Sequence, residues 1–203
     1  MTKVKVCGIT SLRDAWLSIE AGADALGFVF WAASPRRATA LEARAIIRTL
    51  PPLTAVVGVF VDESAEVINE TAAFCKLSFA QLHGNEDPGI LKKLTVPVIR
   101  AVSVGGRKDV VQSAGWKTPL FLFDAKSSKS PGGTGKQFAL SHLKAVPSNV
   151  RYFLAGGLTP GNVAASVRKV RPFGVDVSTG VEREPGVKDP AKLRKFIRAA
   201  KLA

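Results

Sequence analysis

Late in the chain stand two short runs of small residues, Gly156-Gly157 and Ser178-Thr179-Gly180. Side chains this small leave backbone N–H groups open to surround an anion, which makes phosphate binding the chemistry they suggest. Thr159 before Pro160 reads as a helix start just behind the paired glycines, where a positive helix end would reinforce the anion site. Upstream, Asp124 is followed by Lys126, Lys129 and the stretch Pro131-Gly132-Gly133-Thr134-Gly135-Lys136. A loop of that length and glycine content reads as a lid over a bound substrate, with a tolerated surface insertion as the plainer alternative. Cys7, His83 and Asp124 each stand at or just beyond the end of an apolar run, and a thiol, an imidazole and a carboxyl all exchange protons.

What could bring these residues together is a repeated unit of short β-branched run, polar break and helical-period segment. The predicted strands are 3–7, 25–30, 55–60, 79–82, 98–101, 120–124, 152–155 and 174–177. Between them, Leu12, Trp16 and Ile19, then Leu41, Ala45, Ile46 and Leu50, fall at three- and four-residue spacing and predict helix faces. Ser64, Thr159 and Asp189 are the expected helix N-caps. Alternating β and α segments imply parallel strands. Eight such units, each of about 25 residues and with no linker between halves, favour a closed α/β barrel, a (β/α)8 TIM barrel forming a single domain over 1–203. In that fold the reacting groups lie at the C-terminal strand ends. This places Cys7, Arg36, His83, Ser103, Asp124, Gly156-Gly157 and Ser178-Thr179-Gly180 at one mouth.

Composition narrows the alternatives. With 46% apolar residues and no low-complexity tract, the chain is not a disordered one. Two cysteines are too few for a disulfide framework, no Cys/His cluster has zinc spacing, and Cys75 reads as core packing. The sequence holds no apolar run of membrane length, and Thr2 to Val6 enters directly into a strand without a signal-type apolar region; the expectation is a soluble, cytoplasmic protein with no membrane partner. The net charge of +13 favours anionic partners of some kind. Residues 188–201, the most basic stretch, read as the wet face of a terminal helix.

The residues resemble the phosphoribosylanthranilate isomerases, barrel enzymes of tryptophan biosynthesis, in nearly every segment. The likeness rests on Val4-Lys5-Val6-Cys7-Gly8-Ile9-Thr10, Gly22-Ala23-Asp24, Gly27-Phe28-Val29-Phe30, Ser34-Pro35-Arg36 and Val57-Gly58-Val59-Phe60-Val61. It continues through Gln81-Leu82-His83-Gly84, Gly132-Gly133-Thr134-Gly135, Ala155-Gly156-Gly157-Leu158, and Val175 to Glu182 leading into Pro185-Gly186-Val187-Lys188-Asp189. The resemblance implies an Amadori rearrangement of a phosphoribosyl substrate, with no cofactor and no metal. It makes Cys7 the general base and Asp124 the general acid. Cys7 would then need a thiol pKa brought down from about 8.5 by positive neighbours. Asp124 would need one raised from about 3.9. Arg36 would grip the substrate carboxylate with a two-pronged contact, leaving Arg37 as a solvated charge. Asp176 would bond the sugar or its nitrogen, or else partner a cation inside the barrel. Gln81 and His83 would line the pocket, unless His83 is a packing residue.

One departure stands out: Phe138-Ala139-Leu140 replaces the Phe-Asp-Trp common after the Gly-rich loop, which touches the sixth helix cap rather than the chemistry. Two other readings stay open on sequence alone. A histidine-pathway barrel performs the same rearrangement on another phosphorylated aminoaldose, but with an acidic residue where this chain has Cys7. A basic nucleic-acid-binding module would fit the charge, yet the chain has one Tyr and no recognition motif, so no nucleic acid is expected. The oligomeric state is open.

Overall fold

The computed structural model describes residues 1–125 and 139–203. Eight parallel strands, β1 (Lys3–Cys7), β2 (Ala25–Val29), β3 (Ala55–Phe60), β4 (Phe79–Leu82), β5 (Val98–Val104), β6 (Leu120–Ala125), β7 (Tyr152–Leu154) and β8 (Gly174–Val177), pair in chain order. β8 returns to β1 and closes the barrel. The eight predicted runs match these strands to within one residue at each end, except for β5. β5 continues to Val104 because Ser103 pairs with Asp124 and Val104 with Ala125.

Alternation along each strand sorts the core. Val4, Val6, Leu26, Phe28, Phe60, Leu82 and Leu154 face outward and pack with helix residues such as Ile68, Leu193 and Phe196. The inward set is smaller and includes Ala25, Val57, Ile99, Leu122 and Phe153, with Cys7, Val29 and Val59 above them. A barrel interior of this width is filled by side chains, so its chemistry is confined to the upper rim.

The outer layer comprises α1 (Leu12–Glu20), α2 (Ala40–Ile47), α3 (Ala65–Cys75), α4 (Arg107–Gln112), α5 (Val163–Val170) and α6 (Pro190–Lys201) among the described residues. Ser64 and Asp189 cap α3 and α6 as expected. The predicted inner faces of the first two helices hold in part: Ile19, Ile46 and Leu50 pack against the core, and the other positions do not. Leu12 and Trp16 are 47% and 38% exposed, and α1 buries Asp14, Ala15 and Ser18 instead. Small residues allow close approach, and the polar ones are satisfied: Asp14 accepts the Lys188 amide at 3.0 Å, and the Ser18 hydroxyl donates to the Asp14 carbonyl at 2.7 Å. On α2, Leu41 and Ala45 are exposed, and Ala43 and Ile46 turn inward.

Two expected helices are single 3-10 segments, Pro88–Lys92 after β4 and Leu140–Ala145 after β6. The second starts at Ala139, which offers no side-chain acceptor for the first free amides, in line with the departure noted there. No helix among the described residues is long and apolar enough to cross a membrane.

Candidate active site

The last inward positions of the strands build the upper rim. Cys7 ends β1 and is nearly buried; Asp124, on β6, is 6% exposed. Between the two, beyond the ends of β7 and β8, a small cavity of about 40 Å³ is lined by Asp124, Gly156, Gly157, Asp176, Ser178 and Thr179. Gly156 and Gly157 have φ of +83° and +63°, a backbone that L side chains rarely adopt, so glycine is required at both. Gly180 packs directly against the Leu158 carbonyl, leaving no space for a β-carbon. These are the two runs that suggested phosphate binding, and the fold sets them side by side.

The helix behind Gly157 begins later than predicted. Asn162, not Thr159, stands at the N-cap of α5. Its amide accepts the Thr159 N–H at 2.7 Å and donates to the Gly157 carbonyl at 2.9 Å, tying the glycine turn to the helix. Pro160-Gly161 fills the resulting turn instead of the first helical positions.

Arg36 is placed by the turn after β2, where Ser34 Oγ accepts its amide at 3.1 Å and Val29 pairs with Arg37. Its guanidinium is held by Glu182: Nε lies 2.9 Å from Oε1 and Nη2 lies 2.8 Å from Oε2. Lys188 Nζ contacts the same carboxylate at 2.7 Å and donates to the Cys7 carbonyl at 2.6 Å. Burial works to raise the Glu182 pKa, but the Arg36 bonds and Lys188 outweigh it and bring it below the ordinary carboxylate value. Glu182 and Lys188 belong to a hairpin, β9 (Glu182–Glu184) and β10 (Val187–Lys188), that the sequence reading missed. Lys188 is therefore no part of a wet helix face; it is 1% exposed, because it precedes α6 and points into this ion cluster. Arg37 is exposed, as expected.

Below Cys7 on the same strand face sits Lys5, fully buried, with Nζ 2.8 Å from Asp176 Oδ1. Asp176 is thus the partner of a barrel cation, one of the two roles open to it. Burial disfavours a charged Lys5, yet Asp176 and Cys7 more than offset that and hold its pKa up. For Cys7 the expected fall is reversed. Burial pushes the thiol up, and the opposing pull of Lys5 and Lys188 does not overcome it.

His83 follows β4 with its Nδ1 3.2 Å from Gln81 Nε2 and its Nε2 3.7 Å from Asp124 Oδ2. Burial, then Lys5 and Arg100, push its pKa down to about 4, so the ring is neutral near pH 7. With Nδ1 accepting from Gln81, the proton sits on Nε2, facing Asp124. The lid residues Gly132, Gly133, Thr134 and Gly135, with Lys126 and Lys129, lie outside the described residues. Cys75 ends α3 fully buried, its Sγ 3.4 Å from the Ala40 carbonyl, a packing residue. A wide apolar cavity of about 560 Å³ opens at the opposite barrel end between Ala25, Phe79, Ile99 and Phe153. Its lining holds no glycine, and its one carboxylate, Asp24, is paired with Lys3 and Lys201, so the chemistry is assigned to the rim.

Fold and rim together define a (β/α)8-barrel enzyme whose rim carries a carboxyl, a thiol and a small glycine-lined notch. The chain belongs to the family described as N-(5'phosphoribosyl)anthranilate (PRA) isomerase, whose model matches residues 4–199. It is 49% identical over 201 residues to the N-(5'-phosphoribosyl)anthranilate isomerase of Pelobacter propionicus, covering 99% of this chain and 96% of that one. The structure of the Thermotoga maritima phosphoribosyl anthranilate isomerase superposes with a TM-score of 0.92 at 41% identity, over 100% of both chains. A phosphoribosyl anthranilate isomerase structure in complex with reduced 1-(o-carboxyphenylamino)-1-deoxyribulose 5-phosphate gives a TM-score of 0.89 at 38% identity, again over 100% of both chains.

Proposed function

We propose that this chain isomerises N-(5-phosphoribosyl)anthranilate to 1-(2-carboxyphenylamino)-1-deoxyribulose 5-phosphate, a step of tryptophan biosynthesis, with Cys7 as base and Asp124 as acid. The supporting observation is the placement of Cys7 and Asp124 on one rim that also holds the notch of Gly156, Gly157, Ser178 and Thr179, with Gly180 packed against Leu158 beside it. The ligand of the solved relative carries both a phosphate and a carboxylate. In this reading the phosphate occupies the notch, held by backbone amides, and Arg36 takes the carboxylate with its Nη1/Nη2 edge while Glu182 keeps the other edge.

The steps follow from that placement. Asp124 gives its proton to the ring oxygen as the bond from that oxygen to carbon one breaks, and the nitrogen lone pair forms the imine. Cys7, as thiolate, takes the proton from carbon two; the freed pair forms the double bond between carbons one and two, and the imine pair returns to nitrogen. The resulting enol becomes the ketone by moving its hydroxyl proton to carbon one. Gln81, His83 and Asp176 border the sugar. A biosynthetic enzyme of this kind works in the cytoplasm. A histidine-pathway role is disfavoured by a thiol, rather than a carboxyl, at the end of β1.

The test is turnover of Cys7→Ser and Asp124→Asn, with binding of the reduced product measured alongside. Each substitution should cut kcat by about 10²- to 10⁴-fold with binding largely kept, the usual size for a lost proton-transfer group. Near-normal turnover in Cys7→Ser would remove the base, and activity confined to the histidine-pathway intermediate would remove the assignment itself.

A further inference from the structure

The mechanism leaves Lys5 without work, although it is a fully buried charge in the barrel interior. Burying an ammonium is costly, and a methionine or leucine would fill the same volume. Its surroundings suggest why it is kept. Lys5 and Cys7 are two apart on β1 and so point to the same side. Opposite them on β2 stands Gly27, paired with Cys7 in the sheet. A β-carbon at Gly27 would lie 2.8 Å from Cys7 Sγ and 3.1 Å from Lys5 Nζ. Thiol and ammonium therefore converge on the one space that the missing side chain opens. Asp176 holds the ammonium from β8 at 2.8 Å, and among the described residues Lys188 on β10 also acts on the thiol.

We propose that Lys5 is a positioning residue for the reaction: its ammonium, lodged beside Cys7 in the space left by Gly27 and anchored by Asp176, is the charge that most favours the Cys7 thiolate against burial. This inference rests on Cys7 being the base. Burial alone pushes the thiol up, and Lys5 is the largest influence in the other direction, while Asp176 adds to the upward push. The three groups thus form a balance. Removing the cation and removing the anion should move the thiol in opposite senses, an outcome that a purely structural ion pair does not produce.

The experiment is a titration of the Cys7 thiolate by its ultraviolet absorbance, taken as the difference from the Cys7→Ser protein, in wild type, Lys5→Met, Asp176→Asn and the double variant. Lys5→Met should raise the midpoint by about one pH unit or more, and Asp176→Asn should lower it. If Lys5→Met does not fold, the double variant leaves no buried charge unpaired, and its midpoint must still lie above that of Asp176→Asn. Equal midpoints in that comparison, or an unmoved midpoint in Lys5→Met, overturn the inference. The pH profile of kcat/KM separates it from the base assignment. A limb that follows the thiolate midpoint supports both. A midpoint that moves while the limb stays fixed supports the Lys5 coupling and overturns Cys7 as base.

Discussion

Arg36 and Glu182 lie 146 positions apart in the chain, yet two guanidinium nitrogens meet both carboxylate oxygens at 2.8 to 2.9 Å. The pair fixes the plane of the arginine before any ligand arrives. Glu182 is in turn tied to Lys188, which holds the Cys7 carbonyl, so the proposed carboxylate clamp and the proposed base share one buried frame.

Glu182→Gln should therefore raise KM about ten-fold while lowering kcat much less, since one charge-assisted contact of about 1.5 kcal/mol is lost and the arginine is freed to swing. Steady-state kinetics with the anthranilate substrate checks this. An unchanged KM would mean that Arg36 needs no support or binds no carboxylate.

The proposed phosphate notch makes a separate demand. Gly180→Ala would drive a methyl group into the Leu158 carbonyl, so the loop after β8 must shift. A cost of about 1 to 3 kcal/mol in stability is expected, as for an overpacked site, together with weaker competitive inhibition by inorganic phosphate. Chemical denaturation and inhibition assays measure the two effects. Wild-type inhibition in a folded variant would argue against the anion site.

Asn162 holds the other side of that notch through Thr159 and Gly157. Asn162→Ala should cost about 1 kcal/mol, the usual worth of a lost side-chain hydrogen bond, and should raise KM several-fold with little change in kcat. The distinguishing comparison is Asn162→Asp, which keeps the acceptor for Thr159 but not the donor to Gly157.

His83 sets an acid limit on stability. Its ordinary value of 6.5 is depressed to about 4 in the folded protein, so between those values the unfolded chain binds more protons than the native one. By linkage, stability rises with pH across that window and is lost as pH falls from 6.5 toward 4, by up to about 3 kcal/mol. Urea midpoints at neutral pH and near the lower end of the window should differ less in His83→Gln than in wild type. Equal acid sensitivity in both proteins would show that other groups carry it.

Local pattern alone was enough for the eight strands, their parallel order and the rim positions of Cys7, Asp124 and the two small-residue runs. Apolar runs of the right length, turn residues and strand-end rules act within a few residues and survive in one dimension. Parts of the first two helix faces were misread because burial there depends on partners elsewhere. Asp14 and Ser18 turn inward once Lys188 and the helix backbone satisfy them, and Leu12 and Trp16 are left outside. Only the closed barrel brings Lys5 to Asp176, Arg36 to Glu182, and Lys188 to Cys7. Charge pairing and desolvation depend on distance in space, so the state of the thiol, set by burial against its lysines, was decided by the tertiary structure.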